Sequence, residues 1–217
     1  MGSSQSSTHN VTLEGGEANP KRVVMIGFSY GGQQIVKHMH KMDTKKVCHF
    51  TVVDKSDHFE HQPNQFEAFT DPEVFTKTNC LMFDIMTKTH EKMTGGRFTF
   101  KRGKLTHVLH KENQIEITSP DGVSTEIIDY DVLCISTGAN YCNPWRPDDT
   151  LCDTLVDRDE EFAQCRKEMK ETPSILCIGA GETGLETAGW MKEHYPDKVI
   201  GVAMRGTTIL RGIDGAH

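Results

Sequence analysis

No two of the seven cysteines (Cys48, Cys80, Cys134, Cys142, Cys152, Cys165 and Cys177) are spaced C-x-x-C or C-x-x-x-x-C. Neither a zinc ribbon nor a catalytic disulfide is therefore indicated. No apolar run approaches the roughly 20 residues that a membrane span needs, and no secretory signal opens the chain. With an odd number of thiols, these absences favour a reducing, cytoplasmic setting. Positive charge is also short. Lys and Arg number 24 against 31 Asp and Glu, giving a net charge of -7 and a pI near 5.9, which argues against nucleic acid as a partner. His58 and His61 have no acid or cysteine at metal spacing on a predicted rigid element, so they read as surface or loop histidines and no metal is expected.

What the chain does have is a pair of glycine-rich turns. The first follows an apolar run, Val23-Val-Met-Ile-Gly27-Phe-Ser29-Tyr-Gly31-Gly32; the second, far downstream, is Ile175-Leu-Cys-Ile-Gly179-Ala-Gly181-Glu-Thr-Gly184. Each predicts a buried parallel strand, a tight turn and a helix whose first N–H groups and dipole favour an anion. A second strand, Phe50–Asp54, ends on an acid that lies 22 residues after Gly32, close to the separation of about 20 at which a carboxylate meets the ribose. The first turn carries Ser29 where the pattern G-x-G-x-x-G has its middle glycine. Its hydroxymethyl group could crowd a phosphate or donate to it, and weaker binding is expected.

Residues 1–20 read as a flexible tail. It opens Met1-Gly2-Ser-Ser-Gln-Ser6, the pattern for myristoylation of Gly2, and equally that of a plain polar tail or a cloning leader. No Lys or Arg precedes Lys21, so one acyl chain would give only reversible membrane contact. Residues 55–95 read as loop and short helices. Short strands follow at Phe98–Lys101, Leu105–His110, Gln114–Thr118 and Thr125–Ile128, with turn signals that suggest a β-meander. Asp131–Gly138 is a further strand ending in Thr137-Gly138. A helix spans Asp157–Lys170, and a last strand spans Lys198–Met204. Arg205 stands where a ribose acid would be expected, and suits either a 2′-phosphate, hence NADP, or a solvated surface. Cys134 and Cys177 fall inside strands predicted to be buried.

These residues together resemble the flavin-dependent pyridine-nucleotide oxidoreductases. Within them the chain is most similar to the apoptosis-inducing-factor-like and ferroptosis-suppressor-type enzymes and the related single-subunit NADH:quinone oxidoreductases. The matching stretches are Val23–Gly32, Val53-Asp54, Asp57-His-Phe59-Glu-His-Gln-Pro63, Ser136-Thr137-Gly138, Ile178–Glu186 and Glu193–Lys198. They cover the chain from Lys21 onward. The resemblance implies an α/β fold of two Rossmann-like dinucleotide-binding units with a β-meander, the three-layer FAD/NAD(P)-binding type, in which the second unit is incomplete. Residues 21–150 would form the FAD-binding part and 151–217 a partial NAD(P)-binding part.

By matching positions, Gly27, Ser29, Gly31 and Gly32 would face the FAD pyrophosphate and Asp54 its ribose. Thr137 and Gly138 would lie beside the flavin nucleotide, and Pro63 nearer the isoalloxazine. Gly179, Gly181 and Gly184 would take the pyrophosphate of NAD(P)H, with Glu186 near its nicotinamide end and Arg205 at the adenosine end. Hydride would pass to FAD and electrons on to a quinone-like acceptor, with no protein nucleophile. The ferroptosis-suppressor type is N-myristoylated, which the pattern at Gly2 echoes.

Family members also return to finish the flavin domain with a strand carrying a Gly-Asp pair, then add an interface domain. This sequence ends before either, and so reads as a fragment, a truncated gene model or a shortened form. The alternatives to an active oxidoreductase are a non-catalytic nucleotide-binding remnant and a membrane-tethered interaction protein.

Overall fold

The structure is a computed structural model that describes residues 19–75, 77, 80–139, 144–146, 154–207 and 209. Gly2, Cys142, Cys152 and the last residues lie outside them. The chain packs as two compact units. The first contains residues 1–55 and 87–138, and the second contains 56–86 and 139–217. The expected division at 150 separates the two nucleotide motifs, whereas packing assigns residues 56–86 to the later part of the chain.

In the first unit, β1 (Lys21–Ile26), β2 (Cys48–Asp54), β5 (Phe98–Arg102) and β9 (Val132–Ile135) form one sheet in the order β5-β2-β1-β9. Every pair is parallel. Val23 to Ile26 are all buried, as expected of a strand covered on both faces. One cover is a three-stranded antiparallel meander of β6 (Lys104–Leu109), β7 (Gln114–Thr118) and β8 (Thr125–Asp129). Ile115, Ile117 and Ile128 pack on Val24, Ile26 and Val53. Helix α1 (Tyr30–Met42) lies along β1 and β2 and buries Val36.

The meander has three strands, not four. Phe98–Lys101, grouped from sequence with the short strands of the meander, instead pairs in parallel with β2. The reason is the helix ahead of it. Residues 55–95 hold α3 (Phe83–Thr94), a crossover long enough to return the chain to the same edge in parallel sense.

The second unit contains the antiparallel ribbon β3 (His58–Glu60) and β4 (Cys80–Met82), a 3-10 helix at Gln62–Phe69 and the short helix α2 (Pro72–Val74). It continues with α4 (Leu155–Glu171), then β10 (Ser174–Ile178), α5 (Glu182–His194) and β11 (Val199–Ala203), with β10 and β11 parallel. Its core joins Ala68, Phe69 and Phe75 to Phe162 on α4 and Met191 on α5. Strand β10 is not buried as expected. Leu176 is 62% and Ile178 87% exposed, while Cys177, like Cys134 on β9, is only half-buried.

Candidate nucleotide-binding site

At the carboxyl end of β1 the chain turns at Gly27, whose φ of +94° favours glycine. A Cβ on Gly27 would stand 2.5 Å from the Ser136 carbonyl oxygen, and one on Gly32 would stand 1.9 Å from the Gly27 oxygen. Both glycines are therefore demanded by the packing of the turn itself. Beside the turn, Ser136 donates its N–H to the Ile26 carbonyl at 2.8 Å, extending β9 toward Thr137 and Gly138, which are exposed. The strand order places β2 on one side of β1 and β9 on the other. The glycine turn and Thr137-Gly138 thus sit where the connections reverse direction, the place at which open α/β sheets bind ligands.

Asp54, at the end of β2, accepts the Phe28 N–H through Oδ2 at 2.7 Å. The acid thus holds the glycine turn, a role not anticipated from its spacing. Phe28 is fully buried, its ring 5.0 Å from His90, 5.7 Å from Phe98 and 5.7 Å from Phe100. The turn is anchored from below by this aromatic cluster. Ser29 follows as the N-cap of α1, with φ −79° and no side-chain hydrogen bond to the helix.

The second motif repeats the geometry. Gly179 has φ +116°, and a Cβ on Gly184 would stand 2.1 Å from the Gly179 oxygen. Gly181 differs from both. Its φ is −81°, which any residue can adopt, and a Cβ there would meet nothing within 4 Å. Steric packing does not demand glycine at 181, although glycine is a favoured N-cap. Close approach by a ligand at the start of α5 gives a further reason for it, so these residues fit a dinucleotide pyrophosphate. Ser29 occupies the corresponding position in the first motif, and its ordinary φ explains why serine is tolerated there. Glu186 is exposed on α5, and Arg205 is exposed just past β11. Glycines 179, 181 and 184 with Glu186 and Arg205 belong to the second unit, as does Pro63; Gly27 to Asp54, Thr137 and Gly138 belong to the first.

The stretch Asp57–Pro63 does more than form a loop. His58 is only 6% exposed, so it is not a surface histidine. Its Nδ1 lies 2.8 Å from Asp57 and its Nε2 3.2 Å from Glu60. Arg158, fully buried on α4, donates Nε to Glu60 at 2.8 Å and Nη2 to the Pro144 carbonyl at 2.7 Å. It also pairs with Glu161 and lies 4.1 Å over the Phe162 ring. Gln65 donates to Glu60 at 2.6 Å, and the Leu155 N–H to Asp57 at 2.9 Å. Burial pulls the His58 pKa down, but the hydrogen bonds that its ring donates to Glu60 and Asp57, with their negative charge, outweigh it and raise it. Burial likewise pushes Glu60 up, while His58 and Arg158 bring it below its ordinary value. Arg158 escaped the sequence reading. The signal was its place on the buried face of α4, one turn before Phe162 and two before Arg166.

The profile of the family described as pyridine nucleotide-disulphide oxidoreductase matches residues 21–215. The chain belongs to this family. Its members bind FAD and NAD(P)H. Among curated relatives it is 27% identical over 180 residues to apoptosis-inducing factor homolog B of Dictyostelium discoideum, covering 82% of this chain and 40% of that protein. It is 24% identical over 193 residues to ferroptosis suppressor protein 1 of Taeniopygia guttata, covering 89% and 46%. The chain thus spans less than half the length of these relatives. The fold matches that of reduced CoADR-RHD from Bacillus anthracis, with a TM-score of 0.67 and 16% identity over 90% of this chain and 35% of that one. It also matches NDH2 from Plasmodium falciparum in complex with NADH, with a TM-score of 0.63 and 16% identity over 88% and 43%.

Proposed function

We propose that this chain carries the FAD-binding and NAD(P)H-binding motifs of an oxidoreductase that takes hydride from NAD(P)H and passes electrons to a quinone-like acceptor. The observation that carries this reading is the repeat of one turn geometry at Gly27 and Gly179, each followed five residues later by a glycine packed on its carbonyl oxygen, with open space over Gly181 at the start of α5. Similarity to ferroptosis suppressor protein 1 and to NDH2 supports the choice of acceptor.

In this reading the first N–H groups of α1, with Ser29 and Gly31, hold the FAD pyrophosphate, while Gly27 and Gly32 let the turn close. Asp54 fixes the turn through Phe28 and accepts from the ribose, and Thr137 and Gly138 flank the nucleotide. The first N–H groups of α5, with Gly179, Gly181 and Gly184, hold the second dinucleotide. Glu186 faces its nicotinamide end, and Arg205 takes a 2′-phosphate where one is present. FAD, when bound, supplies the two-electron acceptor that no side chain here can provide.

The thiols support a branch without disulfide chemistry. Among the described residues, burial pushes Cys48 and Cys165 up to about 11 and raises Cys80, Cys134 and Cys177, which disfavours their thiolate forms. We further propose a cytoplasmic protein with reversible membrane contact through acylated Gly2. No described helix is long and apolar enough to cross a membrane.

The test is reconstitution. The full chain mixed with FAD and desalted should retain visible flavin absorbance and then consume NADH when a soluble quinone is added. A colourless chain overturns the FAD reading, and flavin binding without turnover points to the nucleotide-binding remnant instead. Intact-mass analysis of protein from a myristoylating host checks Gly2.

A further inference from the structure

At the end of the first unit's sheet opposite the glycine turn lies a cavity of about 730 Å³. It is built where the parallel strands begin: Pro20 precedes β1, His49 opens β2 and Arg97 precedes β5. The last turns of α1 and α3 and the following Gly95 complete it with His40, Lys92 and Thr94. No Asp or Glu lines it, whereas Lys46, Lys92 and Arg97 do.

Helix C-termini attract cations through their carbonyls, which accounts for His40 and Lys92. It does not account for the others. Lys46 sits in a turn at φ +55°, a conformation that glycine adopts at lower cost, so the turn does not select the lysine. Arg97 donates Nη1 to Asp43 at 2.8 Å and Nε to the Thr94 carbonyl at 3.0 Å, leaving Nη2 without a hydrogen bond among the described residues. Lys46 and Lys92 make no ion pair among them either. The His40 Nδ1 atom is buried and has no hydrogen-bond partner among the described residues. Asp43 offsets one of the three positive charges and the carbonyl ends of α1 and α3 offset about one more, so the cavity keeps a positive excess of about one within a chain whose net charge is -7.

We propose that this cavity binds a phosphate monoester. Two exposed ammonium groups, one guanidinium nitrogen without a hydrogen bond among the described residues and an imidazole line the cavity, a set of several cationic donors that suits a tetrahedral dianion better than a planar carboxylate. The volume leaves room for the ester substituent, so a small phosphorylated metabolite and a phospholipid headgroup share the chemistry. The site is distinct from the first glycine turn, which lies at the other end of the same strands.

Phosphorus NMR of inorganic phosphate titrated with the full chain at low ionic strength tests this directly. Saturable binding that weakens with added salt is expected. A Lys46→Gly, Lys92→Gln double variant should bind about tenfold more weakly or worse. Glycine relieves the positive φ at 46, so this variant is expected to fold; Lys104→Gln, on exposed β6, should bind as the parent does. A parallel arm uses phosphatidylcholine vesicles with and without phosphatidic acid. Capture that requires phosphatidic acid and is lost in the double variant identifies a lipid headgroup as the source. Phosphate binding without capture identifies a soluble phosphate ester. No binding in either arm, or binding that the double variant retains, overturns the proposal.

Discussion

At the scale of single residues, the glycines of the two turns divide by what they answer to. Gly27, Gly32, Gly179 and Gly184 answer to the backbone around them. Gly32→Ala would drive a methyl group to within 1.9 Å of a carbonyl oxygen and should cost about 3 kcal/mol or more, read as a lower midpoint in urea unfolding. Gly181→Ala meets open space, so the same measurement should move by under about 0.5 kcal/mol while NADH affinity, read by fluorescence titration, falls at least about tenfold. Equal loss of stability in both variants would remove the argument from Gly181. The pattern of glycines was visible in the sequence; which of them the fold needs was not. That depends on a carbonyl oxygen passing under a helix five residues later. Asp54 teaches the same lesson, because its spacing suggested a ribose contact and its bond to Phe28 N–H is visible only in three dimensions.

Secondary elements were legible where local chemistry marks them. Helix α4 begins with a capping box in which Thr154 and Asp157 exchange side-chain bonds with each other's backbone N–H, and its sequence start was placed within a turn of that. The strand Gln114–Thr118 was placed with the right ends because alternating Ile115 and Ile117 face a core. Helix α3 falls within the stretch that reads as loop and short helices, but its run of Thr, Lys and His hides the apolar face and its length, and β5 is therefore grouped from sequence with the meander instead of the parallel sheet.

Nothing local announced that β3 and α4 are joined by charge. Glu60→Ala would leave Arg158 buried with half its partners gone, and should destabilise the chain by about 3–5 kcal/mol, measurable by thermal unfolding. The pH response follows from the two shifts. The raised His58 contributes fully below its ordinary 6.5 and loses that contribution as pH rises through its folded value. The lowered Glu60 contributes above its ordinary 4.5 and loses it as pH falls. The cluster is therefore strongest in mildly acidic solution, and His58→Gln should remove the decline in melting temperature seen from there toward alkaline pH.

For the molecule as a whole, strands β10 and β11 present Leu176, Ile178 and Val199 with 62%, 87% and 69% of their surface exposed. An apolar patch of this kind promotes association. Light scattering should show concentration-dependent growth that Ile178→Lys suppresses, and a monodisperse parent chain would contradict it. The family and the two-motif plan could be read from sequence because glycine turns are local. The assignment of residues 56–86 to the second unit could not, because it rests on partners supplied much later in the chain.

That interleaving carries a consequence for biosynthesis. Glu60 and Arg158 are 98 residues apart, and at about 5–20 residues per second a ribosome takes roughly 5–20 s to deliver the second after the first. Throughout that interval Asp57, His58 and Glu60 have emerged without the helix that neutralises them. Phe66, Phe69 and Phe75 wait equally for Phe162 and Met191. The first unit can complete its sheet once Gly138 is out, leaving this segment as an unfinished excursion. The stretch from Asp57 to Phe75 thus spends a long interval on the nascent chain without its partners, time in which a chaperone can act on it.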